Sequence, residues 1–579
     1  MARKQKQPQT ATRWPILITV VGFFLAEIIV LAGAASPFRL PKEAVALAAL
    51  CLALAFAVIS AAHRRSLVLP RGRLALIVMV LPALQAVSAV WSTSPLLSAQ
   101  SALLTFFWVL GALWMATLDD AGRHRIAVAA TIGVACSVLV LFLQLAGISV
   151  FNFAARFASA RLSLTGLTGN PADLAMASVL LIPFLLAWGE SSSRPWFFRS
   201  LTVLFALAVL ITQTLTGIAA LGAVMLVWLA QHRSRRLLVR FAVIATIVVA
   251  VALAAGLGDR LEKQTDWVRK GNWYRLFSAR GDGWTAAGEM IRNHGLLGVG
   301  AAAYSHQYYP NRLAWLTRNG GTGGRAELAS HFQWAHCDPL QMISELGIPG
   351  VAWILFFLWA VITSRRRSDS LTPLTAAAAA PFVLLHYPTH LAVGLIPISL
   401  FLAHTMAHAQ PLTTLNWRRA RIPVAVVVVV VAGAGAFWQL RRVAVDVWMG
   451  GLEMSMSIVQ SRDPGSRARM GTAVEAQIVP RLGRLGVQRP AALRTLGRAR
   501  LLRGDAEGAE AAFRTSFAAW PHEDAEFYLG MSLYAQGRRN EALNHLSRVC
   551  RTNPKLADLI ADDDLRLTVT DILDTYSVH

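Results

Sequence analysis

Up to about residue 440, apolar runs of about 20 residues alternate with short polar loops, and each run is long enough to cross a bilayer as a helix. The pattern predicts about 13 spans, near 15–35, 43–62, 74–90, 98–118, 126–146, 172–189, 199–213, 217–231, 240–257, 340–362, 371–387, 391–409 and 422–440. The stretch 199–231 is too long for one upright span. Polar residues and glycine interrupt it at Thr212–Gly217, which predicts a break there; one long tilted helix is the alternative. Arg3, Lys4, Lys6 and Arg13 precede the first run, Pro15–Ala35, which exceeds the apolar core of a signal peptide and reads as the first membrane helix after a basic tail, 1–14. The expected fold class is an all-α polytopic membrane protein with about 13 transmembrane helices, a large polar loop at 258–338 and a C-terminal helical repeat domain at 441–579.

Composition agrees: of 579 residues 55% are hydrophobic and 15% charged, with a mean hydropathy of +0.48. The net charge of +23 would suggest nucleic-acid binding in a soluble protein. Here the arginines concentrate in short loops at 63–73, 123–125, 194–199, 232–240, 365–367 and 417–421, together with the basic tail. All fall on one side of the predicted alternation, as cytoplasmic loops do. No nucleic acid is therefore expected as a partner. The other side, the periplasm in a Gram-negative cell, receives 147–170, 258–338, 386–390 and everything after Arg441. Four scattered cysteines suit neither a disulfide framework nor a zinc site, and neither metal nor cofactor is expected. Glu27 reads as a mid-span acid, too little to support a proton-coupled carrier.

A loop as long as 258–338 is normally functional. Within it Asp259–Lys270 and Thr285–Asn293 read as helices, Leu296–Gly300 as a turn and Arg318–Arg325 as a glycine-rich flap. The C-terminal part carries an internal repeat. Leu493, Leu496, Gly497, Ala509, Phe513 and Pro521 recur 33 positions later as Glu526, Leu529, Gly530, Ala542, Leu546 and Pro554. The two units, at about 490–522 and 523–555, resemble tetratricopeptide repeats, which bind protein partners.

The sharpest motif is A-H-C-D-P-L-Q-M-I-S-E-L-G-I-P-G at 335–350, which sets a histidine and an acid at the outer mouth of a span. The spacing of His336, Leu340, Gln341, Glu345, Gly347 and Gly350 resembles the signature of the O-antigen ligase and polysaccharide polymerase superfamily. Cys337 and Pro339 stand where Asn and Tyr are usual. Arg280 and Trp284 keep the family's R-x-x-x-W spacing before L-L-G-V-G, and Gly295 replaces its proline. Arg161, ahead of G-N-P at 169–171, matches a third segment, and L-H-Y-P-T-H at 385–390 a fourth; Leu215 departs from the family's S-R-x-G.

The resemblance implies a metal-independent enzyme that moves a glycan from undecaprenyl diphosphate to a hydroxyl. The acceptor is another glycan, lipid A-core or, in an oligosaccharyltransferase, a protein. The residue types suit that chemistry. Arginine binds phosphate oxygens with a planar fork and never deprotonates. Histidine offers a base near neutral pH. The candidates are His336 as base, Arg280 and Arg161 on the diphosphate, Asp338 beside the histidine and Trp284 toward the sugar. Each has a plainer alternative. His336 caps the next helix, Arg280 pairs with Asp282, Arg161 anchors at headgroups, Asp338 caps at Pro339 and Trp284 packs. Glu345 reads as structural. A transporter or a non-catalytic scaffold remains a rival class.

Overall fold

The structure is a computed structural model. It describes residues 13–148, 150, 160–232, 239, 242–243, 245–247, 249–250, 253–277, 280–322, 331–364, 370–409, 412–416, 420–459 and 463–577. The apolar runs form helices α1 (Arg13–Ile28), α2 (Arg39–Arg64), α3 (Arg73–Ser88), α4 (Pro95–Ala116), α5 (Asp120–Leu145), α6 (Pro171–Ser191), α7 (Pro195–Ile211) and α8 (Leu215–His232). The polar loop contains α9 (Gly258–Arg269), α10 (Arg280–His294) and α11 (Tyr304–Asn319). Apolar helices resume with α12 (Asp338–Ser364), α13 (Leu371–Leu385), α14 (Ala392–Ala409) and α15 (Arg421–Val459). Among the described residues seven helices are long and apolar enough to cross a membrane, and four are apolar but shorter. The 15 residues of α13 rise about 23 Å, short of a hydrocarbon core about 30 Å thick, so its flanking residues must complete any crossing. The run expected at 240–257 is described in part, at 242–243, 245–247, 249–250 and 253–257.

The break expected inside 199–231 is present. α7 stops at Ile211, the Thr212 hydroxyl donates to the Val209 carbonyl at 2.7 Å, and Gln213 takes a φ of 51° before α8 begins. α1 ends earlier than expected. Glu27 is therefore not mid-span but one residue from the helix end, where Lys42 of α2 donates to the Ala26 and Glu27 carbonyls. A Cβ on Gly22 would lie 2.1 Å from that of Ala49, so glycine is what allows α1 and α2 to cross this closely. α6 is the most enclosed long helix. Asn170 caps it by accepting from the Ala172 N–H at 2.9 Å and Pro171 takes its first position, so the N-P pair sets Asp173 in the first turn.

Four elements escape the apolar pattern. α11 is polar and contains Pro310. Strands β1 (Ser66–Pro70) and β2 (Leu412–Asn416) pair antiparallel, with Val68 opposite Thr414, and so join two of the loops assigned to the arginine-rich side. α15 runs 39 residues, about 58 Å, straight through the boundary expected at 440/441.

Beyond α15 the chain forms α16 (Pro464–Ile478), α17 (Arg489–Leu502), α18 (Ala506–Ala519), α19 (Glu523–Ala535), α20 (Arg539–Thr552) and α21 (Asp563–Ser577). α17 packs on α18 and α19 on α20. A Cβ on Gly497 would meet the Phe513 ring at 2.6 Å. One period later a Cβ on Gly530 would meet Leu546 at 2.8 Å, so the 33-residue recurrence is a recurrence of the same close helix contact. These helices also cover the polar loop. Tyr308, Tyr309 and Phe332 share one core with Phe527, Leu546, Val549 and Cys550. The Tyr309 hydroxyl bonds Glu526, Arg551 donates to the Leu316 and Gly321 carbonyls, and Trp520 Nε1 donates to the Ser305 carbonyl.

This junction should be acid-sensitive. His331 stacks on His522 at 4.1 Å and His306 on Trp520 at 4.7 Å, with Arg494 over the same indole and Asp524 beside it. Burial, then Arg494, pushes His306 down to about 4. Burial likewise takes His331 down to about 3 and His522 well below its usual range. Undocked imidazoles titrate near 6.5, so the undocked state binds more protons below that pH. The docking stability contributed by these groups is whole above about 6.5 and is lost as pH falls toward about 4. Hydrogen-exchange protection factors in α11 and α19 should fall between about pH 7 and about pH 5, and His331→Gln with His522→Gln should flatten that dependence.

Candidate active site

The turn Leu296–Gly300 and the start of α12 are built to fit each other. Gly347 kinks α12 with a φ of 60°, and its N-terminal turns receive the loop: Val299 N–H donates to the Ser344 carbonyl at 3.0 Å, Gly300 N–H to Glu345 at 2.9 Å and Ile348 N–H to Leu296 at 3.1 Å. A Cβ on Gly298 would lie 2.3 Å from the Glu345 carbonyl, and one on Gly347 would lie 2.5 Å from the Leu296 carbonyl. The α3–α4 connection holds the turn from the other side. Ser88 accepts from Ala301 N–H at 3.0 Å and Ser98 donates to the Ala301 carbonyl at 2.7 Å. Gly298→Ala combines a left-handed φ of 72° with a backbone clash. It should cost roughly 3 kcal/mol or more, read as a drop in the midpoint of thermal unfolding.

The polar residues of the motif do structural work on His336. Gln341 Oε1 accepts from Ala335 N–H at 3.0 Å, and its Nε2 donates to Glu345 Oε1 at 3.0 Å. Glu345 Oε2 accepts from Ala302 N–H at 2.8 Å, which uses its second oxygen. Gln341 thereby clamps the backbone immediately before His336, which takes a left-handed φ of 55°. A non-glycine residue there is uncommon and is held by its surroundings. The half-buried imidazole lies edge-on to Tyr387 at 4.6 Å and packs on Phe332 and His386, with centroids at 5.4 and 5.9 Å. Its Nδ1 is buried without a hydrogen-bond partner among the described residues.

α10 brings Arg280 to the same place. Gly283, in its first turn, lies against the Ala335 carbonyl, which a Cβ there would meet at 3.4 Å. Arg280 does not pair with Asp282, which forms an ion pair with Arg312 of α11. Burial lowers the Arg280 guanidinium and Tyr387 opposes that shift; its Nε is buried and unpartnered. His336 is held well below the usual imidazole range, first by burial, then by Arg280, His386 and Arg39. Arg280 and His336 are thus brought together.

Asp338 goes elsewhere. Its oxygens meet His390 Nδ1 at 3.2 Å and Thr389 N–H at 3.2 Å, so it does not orient His336. Burial alone would depress His390, but the Asp338 hydrogen bond and charge raise it. Trp284 packs on Phe277 at 5.4 Å, with its indole N–H buried and unpartnered. Arg161 lies in the 3-10 turn Ala160–Ser163, with its side chain outside the described residues, as are residues 323–325 of the expected flap at 318–325. Arg318 itself lies in the last turn of α11 and pairs with Glu289 of α10.

Three residues absent from the candidates complete the cluster. Arg39, at the start of α2, bonds the Tyr387 hydroxyl, lies 3.5 Å from Asp173, and sits 5.2 Å over the Trp334 and Tyr387 rings, which stack at 4.7 Å. Asp173 Oδ1 bonds His386 Nε2 at 2.9 Å. Arg39 and Asp173 carried no signal of their own in the sequence, and His386 stood inside a quoted motif.

Such a cluster of cations and imidazoles, half-open beside membrane helices, can hold a diphosphate and receive a proton. No curated protein matches the chain. Comparison with known families matches residues 200–355 to the family described as O-Antigen ligase, a span that includes Arg280, Trp284 and the whole His336–Gly350 motif. Residues 200–355 of this chain are therefore similar to the O-antigen ligase family, an enzyme family of ligases and polymerases.

Proposed function

We propose that the protein transfers a glycan from undecaprenyl diphosphate to a hydroxyl acceptor on the outer face of the bacterial inner membrane, in surface polysaccharide assembly. One observation carries the reading: Arg280 and His336, far apart in sequence, meet around Tyr387 with buried, unpartnered polar nitrogens. Arg280, with Arg161, holds the diphosphate and stabilises its charge as the glycosidic bond breaks. His336 takes the acceptor proton. Arg39, fixed by Asp173 and Tyr387, adds a third cation. The acceptor is a second glycan or lipid A-core; a protein side chain fits the same chemistry. No step in this scheme calls on a metal. The C-terminal helix pairs act as tetratricopeptide-like units that steady the loop and dock protein partners.

Deletion of the gene should accumulate undecaprenyl-diphosphate-linked glycan and deplete one surface polymer. Unchanged lipid-linked glycan in the deletion strain would remove the proposal. An alkaline phosphatase reporter after His579 should be active; an inactive one there, with an active one after Arg367, would reverse the orientation.

A further inference from the structure

The reading above leaves the proton on His336, and His336 is badly placed to keep it. Among the described residues no carboxylate hydrogen-bonds its ring, and the charges of Arg280 and Arg39 disfavour an imidazolium there. The next imidazole has what His336 lacks. His386 is fully enclosed, its Nε2 is 2.9 Å from Asp173 Oδ1, and its Nδ1 is buried and unpartnered. Asp173 is also enclosed and comes from α6, the helix whose N-P start fixes it in the first turn. An Nε2–H donated to Asp173 fixes the tautomer in which Nδ1 carries the lone pair, as a carboxylate does for the imidazole of a catalytic triad. The groups facing His386 are Asp173 from α6, Arg39 from α2, Arg280 from α10, His336 from the segment before α12, and Tyr387 beside it in the chain.

We infer that Asp173 and His386 form a proton relay behind His336, a positioning pair for the transfer reaction that rests on the role proposed for His336. In the step, the acceptor oxygen bonds the anomeric carbon, the carbon–oxygen bond to the diphosphate breaks, and its electron pair leaves with the diphosphate. The acceptor proton passes to His336 and from there to His386 Nδ1, where the Asp173 carboxylate stabilises the imidazolium. With ring centroids 5.9 Å apart, a ring rotation or one bridging water spans the gap. His386 is sealed from solvent, whereas His336 is half-open.

The test uses the full-length protein in detergent, with lipid-linked glycan extracted from a deletion strain as donor and acceptor from the same cells. His386→Gln keeps an amide toward Asp173 but carries no proton. Its kcat should fall about 100-fold with the donor KM unchanged, and the residual rate should rise with imidazole buffer concentration, while the wild-type rate does not. Asp173→Asn should behave alike, and Asp173→Glu should recover part of the rate. The wild-type proton inventory in mixed light and heavy water should be curved, with two protons in flight. A linear inventory overturns the relay whatever the variants do. So does His386→Gln with wild-type kcat, or with a loss confined to KM and no response to buffer. If His336→Ala itself transfers normally, the underlying reading and the relay both fall. If His336→Ala is dead while His386→Gln is not, only the relay does.

Discussion

A well-folded His336→Ala protein should bind lipid-linked donor and transfer no detectable glycan. A general base contributes about two to four orders of magnitude in rate, and no other half-open imidazole meets Arg280 in the structure as described. Arg280→Lys keeps the charge but loses the planar fork, so it should fail in donor binding and in leaving-group stabilisation together. The alternative role makes a different forecast. If His336 only shapes the start of α12, its removal costs about 1 kcal/mol of stability and leaves turnover near normal. The pH profile adds a check. Burial and the neighbouring cations hold His336 neutral well below 6.5, so acidification to about pH 6 should not slow transfer through this group. A wild-type rate that falls with an apparent pKa near 6.5 would show the rate-limiting group to be another.

Removal of the chain after Val459 should inactivate the enzyme by releasing the polar loop, although no candidate residue lies in the part removed. Tyr308, Tyr309 and Phe332 lose the Phe527, Leu546 and Val549 side of their shared core. Burying a large apolar side chain is worth roughly 1.5–3 kcal/mol, so several such losses rival the stability of a small unit. Phe332 also packs on His336, which ties the loss to the site. The truncated protein should show fast proteolysis of 258–338 with intact membrane helices, and transfer should drop at least tenfold. Wild-type turnover with a protected loop would show that the C-terminal helices only recruit partners. A sharper variant is Glu526→Gln, which keeps the shape at Tyr309 and His545 but removes the buried charge. It should weaken docking without touching the membrane helices.

The sequence by itself determined whatever depends on period and solvent. Apolar runs of bilayer length can be satisfied only as helices, so the apolar helices and the break at Thr212–Gly217 followed from residues that are near one another in the chain. The 33-residue recurrence was legible because small Gly497 and Gly530 must face large Phe513 and Leu546 wherever the helices pair. Motif spacing marked Arg280 and His336, and the structure placed them together. It left Asp338 misread, because a carboxylate two residues from a histidine gives no sign that its partner will be His390, which arrives from the α13–α14 connection. Asp173, Arg39 and Tyr387 come from three separated helices and connections, and their meeting with His386 depends on how α2, α6 and α13 pack. Hydropathy cannot report that packing, since every face of a membrane helix is apolar whether it meets lipid or protein. The shared core of the polar loop and the C-terminal helices was likewise a tertiary decision: its aromatic residues are ordinary in each segment, and only their juxtaposition makes two segments one unit.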